Sequence, residues 1–467
     1  MKQKALLVTS SAKKKNNFWT CSITSPVGSI MPPCDLASIA SVLRDAGIEV
    51  KILELRHYAN PLHHLQSEVR NWNPDAIITN MSTASANEDY EIFRITKNTV
   101  QKRIGFSFHA MALPDEMFEM GATHVLVGDP EYSVVAAVRG ETLERGIWTE
   151  TCRNTPPGWV EDLDSLPFQA LDLIDLDQYH SLIMGRDRFA ILLGSRGCPY
   201  SCIYCVIPFL FGKKIRLCSV ERIIKEIEWN KRNFQIKKFF FIDSAVNLDL
   251  DWLNRFCTGL LEKGVDIKWC CNMRVAPVSQ ALLDLMKKAG CFRIFYGVED
   301  LDATDVLNRN TTLGQTRKAF TYARRAGIET VAFTLLLPGR DDTEKNMSNR
   351  IVSMATDIKA DAIQCNIAIP YPGSRMFDEY DKEQTMPRDW SLYDPAGDGV
   401  PYPTDLDLMR VRRMVYLKFY LKNPTYVLKM IGRTGIRSII KFIKNATLVL
   451  SGNLLQYGKN RLLNTKE

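Results

Sequence analysis

Hydrophobic and polar residues alternate along the chain in a pattern that predicts short strands separated by helices. Before about residue 140, five apolar runs have the length of strands, at residues 5–11, 50–55, 75–82, 103–110 and 124–128. Helical spacing lies between them: apolar residues recur every three or four positions from Leu36 to Leu43, ahead of Gly47. This alternation predicts a parallel, doubly wound α/β sheet, which binds ligands at the carboxyl ends of its strands.

A second array of strand signals begins at Arg188 and ends near Pro370. It contains six apolar runs, at residues 188–195, 237–243, 267–274, 293–299, 330–337 and 362–369. A helical pattern follows each of the first five, so the array predicts a partial TIM-type (β/α)6 barrel with its chemistry on the loops after the strands. We expect a doubly wound domain over 1–144, a proline-rich linker over 145–187, this barrel over 188–375 and a helical region over 376–467.

Composition and charge narrow the class of protein. The chain has 467 residues, of which 46% are hydrophobic and 24% charged, so we expect several folded domains. The first apolar run is too short for a signal peptide, and no stretch of 18 apolar residues is present, which predicts a cytoplasmic protein without a membrane span. The net charge of +7 is concentrated in residues 401–467, which contain 13 Lys and Arg residues but only three acidic residues.

The basic tail leaves three interpretations open. Residues 436–450 form an amphipathic basic pattern, which is typical of a packing helix, of peripheral contact with a membrane surface, or of a helix that binds another partner. Nucleic-acid binding is disfavoured, because the tail lacks dense interleaving of aromatic and basic residues.

Three cysteines are grouped directly after the first predicted barrel strand. Cys198, Cys202 and Cys205 have the spacing C-x3-C-x2-C. Iron–sulfur clusters are usually held by four cysteine thiolates, so three thiolates on one loop leave one iron of a 4Fe-4S cluster open for chemistry. A zinc site is the alternative, but zinc motifs usually pair two such knuckles, and no second pair follows. The position of the loop after a barrel strand favours catalysis.

The loop with Tyr204 directly before its third cysteine resembles that of the radical S-adenosylmethionine (SAM) superfamily. The resemblance covers residues 188 to 375 and implies that SAM chelates the open iron and is cleaved to a 5′-deoxyadenosyl radical. It also implies that Tyr204, Glu299 in a Gly-Val-Glu element, and Arg274 at the end of the third strand contact SAM. Asp300 stands where the family often has serine. Asp243, which ends the second strand, is a candidate for facing the substrate.

The preceding domain resembles that of the cobalamin-binding class of this superfamily. Residues 106–131 are similar to the Gly-Gly-Pro-His-Ala-Thr stretch and following Gly-Glu strand of that class, with His109 and Glu131 matching in place. Phe106 and Ser107 replace the glycine pair, which is a departure. The resemblance implies bound cobalamin, with His109, Ser82 and Thr83 as contacts. The Asp-x-His-x-x-Gly motif is absent, which argues against a histidine lower ligand.

The two resemblances together imply methylation of an unactivated carbon or phosphorus, with methylcobalamin as methyl donor and SAM as radical source. They also imply a small-molecule substrate, such as a lipid, a tetrapyrrole or a natural-product intermediate, and an electron donor such as flavodoxin or ferredoxin. Two alternatives stay open. A radical rearrangement or cyclisation would use the same cofactors without methyl transfer, and a binding or sensor module would use the cluster without catalysis.

Overall fold

The first domain of the computed structural model is a sheet flanked by helices. The model describes residues 2–11, 15–18, 21–24, 30–153, 155–181, 183–185, 187–300, 307–339, 341–382, 385–394, 399–424 and 426–428. The elements of this domain are β1 (Lys4–Thr9), β2 (Lys15–Phe18), β3 (Cys21–Thr24), α1 (Cys34–Asp45), β4 (Glu49–Glu54), α2 (Pro61–Trp72), β5 (Ala76–Asn80), α3 (Ala86–Thr96), β6 (Lys102–Phe106), α4 (Phe108–Ala112), α5 (Pro114–Glu119), β7 (His124–Leu126), α6 (Pro130–Arg139) and β8 (Ile147–Trp148).

The strand order of this domain is β4-β1-β5-β6-β7-β8. All neighbours are parallel except β8, which pairs antiparallel with β7. Every residue of β5 is buried, as expected for a parallel strand covered on both faces. After β1, the chain adds β4 on one side of it and β5 on the other. The carboxyl ends of β1 and β5 therefore form the topological switch point at which doubly wound sheets bind ligands.

The second domain is a six-stranded parallel sheet with the order β16-β15-β14-β13-β12-β9, so β9 and β16 are its edges and the barrel is open. Its elements, with those that follow, are β9 (Phe189–Leu192), β10 (Ser195–Arg196), α7 (Ile207–Phe211), β11 (Arg216–Leu217), α8 (Val220–Phe234), β12 (Lys238–Phe241), α9 (Leu250–Glu262), β13 (Lys268–Arg274), α10 (Gln280–Lys288), β14 (Cys291–Gly297), α11 (Leu313–Ala326), β15 (Glu329–Leu336), α12 (Glu344–Asp357), β16 (Ala362–Ile367), α13 (Arg375–Tyr380) and α14 (Leu408–Lys422).

Aromatic side chains cover both faces of the second sheet. On the outer face, the Phe241 ring packs 5.3 Å from Phe256 of α9 and 5.7 Å from Trp269. On the inner face, the rings of Phe240, Phe295 and Phe333 form a row, at centroid distances of 5.4 and 5.3 Å. This double coverage explains why the strands read as continuous apolar runs, and both predicted parallel sheets are present.

The region after the barrel packs back on both domains. A 3-10 turn at Trp390–Tyr393 contacts the first domain, where the Trp390 indole donates a hydrogen bond to Glu116 Oε1 at 2.6 Å. α14 packs on α12 and β16, and it ends at Lys422, before Pro424. The basic segment 436–450 lies outside the described residues. Among the described helices, none has the length and apolar character needed to cross a membrane.

Candidate functional site

The three cysteines lie on a loop that is closed by a short antiparallel pairing. β10 and β11 pair through Ser195 with Leu217 and Arg196 with Arg216. Gly197 has φ +91°, and a Cβ atom there would lie 2.0 Å from the Lys214 carbonyl oxygen, so only glycine fits. This pairing gives the cysteine loop a fixed base on the barrel.

The thiols of Cys198, Cys202 and Cys205 lie close enough to influence one another's ionisation. Burial is the main cause that raises the pKa of Cys205 to about 12, and it also raises the pKa of Cys198. The neighbouring thiols raise both values further, whereas the positive charge of Arg309 lowers them. Thiols whose pKa is raised in this way ionise when they bind a cation, which is the behaviour expected of ligands to a metal centre.

A single ion and a cluster require different arrangements of these thiols. In the part of the chain that the structure describes, no three His, Cys, Asp or Glu side chains are arranged as ligands of one metal ion. A cluster needs a wider arrangement, because each cysteine binds a different iron atom. The spacing of the three cysteines, with one ligand position left over, is that of a 4Fe-4S cluster with one open iron.

Glu299 follows β14 and faces the cysteine loop. Its backbone has φ +61°, a left-handed conformation that is rare for this residue type and is found more often at functional sites. Its carboxylate accepts a hydrogen bond from the Tyr204 hydroxyl at 3.0 Å and lies 3.6 Å from Arg309 Nη2. Burial raises the pKa of Glu299, an effect that Arg309 and Tyr204 oppose. The structure thus brings together Tyr204 and Glu299, two residues that the resemblance predicts near SAM.

Arg274 ends β13 on the other side of the loop. Its guanidinium lies 3.6 Å from the centroid of the Tyr200 ring, and its Nη2 donates to the Arg309 carbonyl oxygen at 2.8 Å. Its backbone N–H is fixed by Asn247 Oδ1 at 2.9 Å. The Nε atom of Arg274 is buried and has no hydrogen-bond partner among the described residues. A buried guanidinium with an unused donor is suited to bind an anionic group.

Asp243 lies beside the cysteine loop, but its contacts differ from the expectation that it faces a substrate. One carboxylate oxygen accepts from the Ser195 hydroxyl at 2.6 Å, and the other accepts from the Gly194 N–H at 3.1 Å. Burial raises the pKa of Asp243 to about 6, although these hydrogen bonds lower it. Both oxygens therefore hold the segment that leads from β9 into the cysteine loop.

The residues of the first domain that were predicted to contact cobalamin lie at the carboxyl edge of its sheet, just after β5 and β6. His109 is buried, with Nε2 2.8 Å from the Tyr90 hydroxyl and Nδ1 3.1 Å from the Thr83 hydroxyl. Both ring nitrogens are thus engaged by protein side chains. The Ser82 hydroxyl, by contrast, is buried and has no partner among the described residues. His109 fixes Thr83, and Ser82 carries a free polar atom at the place where such sheets bind ligands.

Ser107 shows what has replaced the glycine pair. It has φ +93° and ψ 175°, a region that is almost exclusive to glycine. The backbone therefore keeps the conformation that glycine would adopt, although a side chain is present. Backbone strain of this kind persists at sites where the surrounding structure enforces it, and here it lies at the end of β6, two residues before His109.

Buried ion pairs join the cysteine loop to the first domain, and these were not found from the sequence. Arg196 donates to both carboxylate oxygens of Glu131, at 2.9 and 2.8 Å, and lies 3.1 Å from Asp129. Arg216, its partner across the β10–β11 pairing, also bonds to Asp129. The arginine before Gly197 and the acids after Gly128 were visible in the sequence, but nothing in the sequence indicated that they pair. Arg309, which lies 3.9 Å from the Cys202 sulfur, was missed as well.

The class of protein follows from the sequence of the second domain. Residues 192–351 match the family model of the Radical SAM superfamily. The six-stranded domain with its cysteine loop is therefore a radical SAM domain, and the chain is a radical SAM enzyme, which confirms the resemblance seen in the sequence.

Similar proteins extend the comparison to the first domain. The chain is 25% identical over 427 residues to an uncharacterised methyltransferase of Pyrococcus horikoshii, covering 86% of this chain and 90% of that protein. Hopanoid C-3 methylase of Methylococcus capsulatus is 24% identical, covering 89% of this chain and 82% of that protein. The structure of TsrM, a radical SAM methyltransferase from Kitasatospora setae solved with cobalamin and a 4Fe-4S cluster, has a TM-score of 0.65 at 17% identity, covering 82% and 75% of the two chains. The predicted two-domain α/β fold is thereby confirmed.

Replacing His109 by glutamine is expected to reduce the loss of stability at acidic pH. Burial, aided by the charge of Arg388, lowers the pKa of His109 from 6.5 to about 3. Between these values the unfolded chain binds more protons than the folded chain, so stability falls as the pH falls. At pH 5 this histidine destabilises the wild type by about 2 kcal/mol relative to pH 7. Thermal unfolding at the two pH values should show a smaller decrease for His109→Gln.

Two buried aspartates also change the stability of the protein between pH 4 and 6, so the effect of His109 has to be measured against the wild type. Asp35 and Asp243 have pKa values raised to about 6 by burial, so their contribution has the opposite sign between pH 4 and 6. Only the difference between His109→Gln and wild type isolates the histidine. His63→Gln, at an exposed histidine on α2, is the control and should leave the pH dependence unchanged. An equal stability difference between His109→Gln and wild type at both pH values would refute the lowered pKa of His109.

Proposed function

We propose that this chain is a cobalamin-dependent radical SAM methyltransferase that acts on a small-molecule substrate. The observation that carries the proposal is the set of buried ion pairs between Arg196 and the acids Asp129 and Glu131, which fixes the cysteine loop to the first domain. Two sites that must share one substrate need such a fixed relation, because radical formation and methyl transfer have to occur at one substrate position. The relatives described as methyltransferases, which span both domains, support the same reaction class.

The cysteine loop fits a 4Fe-4S cluster. Cys198, Cys202 and Cys205 would hold three irons and leave the fourth for the amine and carboxylate of SAM. Arg274, with its unused buried donor, would bind the SAM carboxylate, and Glu299 with Tyr204 would lie along the rest of the cofactor. When bound, the cluster and SAM supply a hydrogen-abstracting 5′-deoxyadenosyl radical, and methylcobalamin supplies the methyl group.

The switch-point edge of the first domain fits the tail of a cobalamin. Ser82 Oγ and Asn80 Oδ1 are buried polar atoms without partners in the described structure. Asn80 ends β5 and lines a small cavity together with Asp35 and Arg56, and Ser82 follows two residues later. Ser82 would donate to the tail, whereas His109 would act through Thr83, because both of its ring nitrogens are already bonded.

The partners follow from the reaction class. A one-electron reductant such as flavodoxin or ferredoxin would reduce the cluster, since SAM cleavage consumes an electron. The substrate would enter the barrel from the loops after the strands, where Phe333 and the half-buried Gln364 and Asn366 line the inner face. Contact of the tail with a membrane surface stays a prediction, because segment 436–450 lies outside the described residues.

Anaerobic reconstitution with iron, sulfide and cobalamin tests the proposal. After reduction, mass spectrometry of the SAM products should detect both 5′-deoxyadenosine and S-adenosylhomocysteine, because radical formation and cobalamin methylation each consume SAM. Deoxyadenosine without S-adenosylhomocysteine would contradict methyl transfer and favour the rearrangement or cyclisation. Absence of both products, with iron bound, would favour the sensor module.

Ser82→Leu separates the two cofactor sites in the same experiment. A leucine fills the space beside the unpaired hydroxyl, so this variant should keep iron and deoxyadenosine formation while it loses cobalamin and S-adenosylhomocysteine. Ser67→Leu, at a half-buried serine of α2, is the matched control and should retain both products. Full cobalamin binding by Ser82→Leu, measured by visible absorbance, would refute the assigned tail site.

A further inference from the structure

Arg309 is a buried cation whose place beside the cysteine loop is enforced by its surroundings. It follows β14 on the segment that precedes α11, and only 8% of its surface is exposed. Its carbonyl oxygen accepts a hydrogen bond from Arg274 Nη2 at 2.8 Å, which fixes the backbone. Its own Nη2 donates to the Gly297 carbonyl oxygen at 2.9 Å. A Cβ atom on Gly297 would lie 2.0 Å from that nitrogen, so the guanidinium occupies space that only glycine leaves open.

The guanidinium lies between a sulfur and a carboxylate. Nη1 is 3.9 Å from the Cys202 sulfur, which is hydrogen-bond distance for sulfur, and Nη2 is 3.6 Å from Glu299 Oε1. Glu299 also accepts from Tyr204, so its charge is shared between two partners. Cys202 and Glu299 are buried as well, which leaves little water to screen these charges. The charge of Arg309 is therefore felt strongly at Cys202.

We propose that Arg309 is a positioning residue that raises the reduction potential of the 4Fe-4S cluster through its contact with Cys202. The inference depends on the proposed role of Cys202 as a cluster ligand. Reduction adds one electron, from a flavodoxin, ferredoxin or chemical reductant, to a cluster whose ligands are already anionic. A buried cation at a ligand sulfur stabilises the more negative, reduced state, and hydrogen bonds to cluster sulfurs are among the factors that set such potentials.

Glu299 acts on the same equilibrium with the opposite sign. Its carboxylate partly neutralises Arg309, so it lowers the stabilisation that the arginine gives to the reduced cluster. Arg309 and Glu299 would thus determine together how readily the cluster accepts an electron before SAM is cleaved. The opposite effects of the two residues distinguish an electrostatic role from simple support of the loop, because loss of support would shift both variants in the same direction.

Redox titration of the reconstituted protein without SAM, followed by electron paramagnetic resonance, tests the inference. Arg309→Gln should lower the reduced-to-oxidised ratio at a fixed potential about tenfold, since it removes a buried positive charge beside a ligand sulfur. A tenfold change corresponds to a shift of about 59 mV for one electron. Arg309→Lys, which keeps the charge, should restore most of the potential. Arg317→Gln, at an exposed arginine paired with Asp357, is the control and should leave it unchanged.

Glu299→Gln provides the second measurement, which is available even where Arg309→Gln does not retain iron. It should shift the potential upwards. An unchanged or lower potential in Glu299→Gln, or an unchanged potential in Arg309→Gln with full iron content, would overturn the inference. Loss of only the SAM-induced spectral change in Arg309→Gln would assign the arginine to SAM binding and overturn it too. Wild-type protein that assembles no 4Fe-4S cluster would instead refute the proposed function.

Discussion

Cys202→Ala is expected to abolish reductive cleavage of SAM. With two remaining thiolates the loop cannot hold a cluster that needs three protein ligands, and Cys202 is the buried member of the set, beside Arg309. Removal of residues that merely support a metal ligand already lowers affinity or activity about 10–100-fold, so loss of a ligand should reduce deoxyadenosine formation below roughly one hundredth of wild type. Iron content, visible absorbance and deoxyadenosine by mass spectrometry measure the effect.

Cys257→Ala is the matched control for this prediction. Cys257 is buried on α9, on the outer side of the barrel, and near Cys291 rather than the cysteine loop. Its removal should lower stability by about 1–2 kcal/mol and leave iron content and SAM cleavage intact. Deoxyadenosine formation that persists in Cys202→Ala, or that is lost equally in Cys257→Ala, would contradict the cluster assignment.

Arg196→Ala is expected to destabilise the protein by about 3–5 kcal/mol, because it removes the cation that pairs with the buried carboxylate of Glu131. Arg196 makes a bidentate pair with Glu131 and contacts Asp129, and the side chains of all three are at least 96% buried. The loss should appear as a lower urea midpoint in tryptophan fluorescence and as reduced iron incorporation, since Arg196 lies two residues before Cys198. Arg196→Lys keeps the charge but not the paired donors. Its urea midpoint and iron content should therefore lie between those of the wild type and of Arg196→Ala.

Arg44→Ala tests whether burial is the cause of this effect. Arg44 on α1 pairs with Asp172 at 2.6 Å, which also joins the first domain to the segment before the barrel. Its side chain is 40% exposed and that of Asp172 is 51% exposed. An exposed pair contributes only about 0–1 kcal/mol, so the midpoint should hardly change. Equal destabilisation by Arg44→Ala and Arg196→Ala would show that the buried network has no special role.

Local sequence patterns were sufficient for the fold class and for the prediction of a cysteine loop that holds a cluster. Strand and helix periodicity reports burial of neighbouring residues, which explains why both parallel sheets could be predicted. Cys198, Cys202, Cys205 and Tyr204 lie within eight residues, so their spacing alone indicated a cluster loop. Glu299 and Arg274 were predicted near SAM through the resemblance to the radical SAM superfamily.

The tertiary structure decided what the remaining residues contact. Asp243 lies two residues after β12, where the candidate substrate residue was expected, but the order of β9 and β12 brings Gly194 and Ser195 to its carboxylate. His109 matched a motif, yet Tyr90 and Thr83 occupy both of its nitrogens. No local pattern records such pairings, because each depends on which strands become neighbours.

The sequence by itself determined the class of enzyme, the grouping of the three cysteines on one loop and the order of the two domains. Each of these depends on patterns of residues that are close together along the chain. Only the tertiary structure joined Arg196 to Glu131, 65 residues away, and Arg309 to Cys202, 107 residues away. Folding creates these contacts by bringing distant charges into the same buried space, where they must pair because water cannot solvate them. The structure thereby turned the predicted cysteine loop into a site whose orientation and charge depend on both domains.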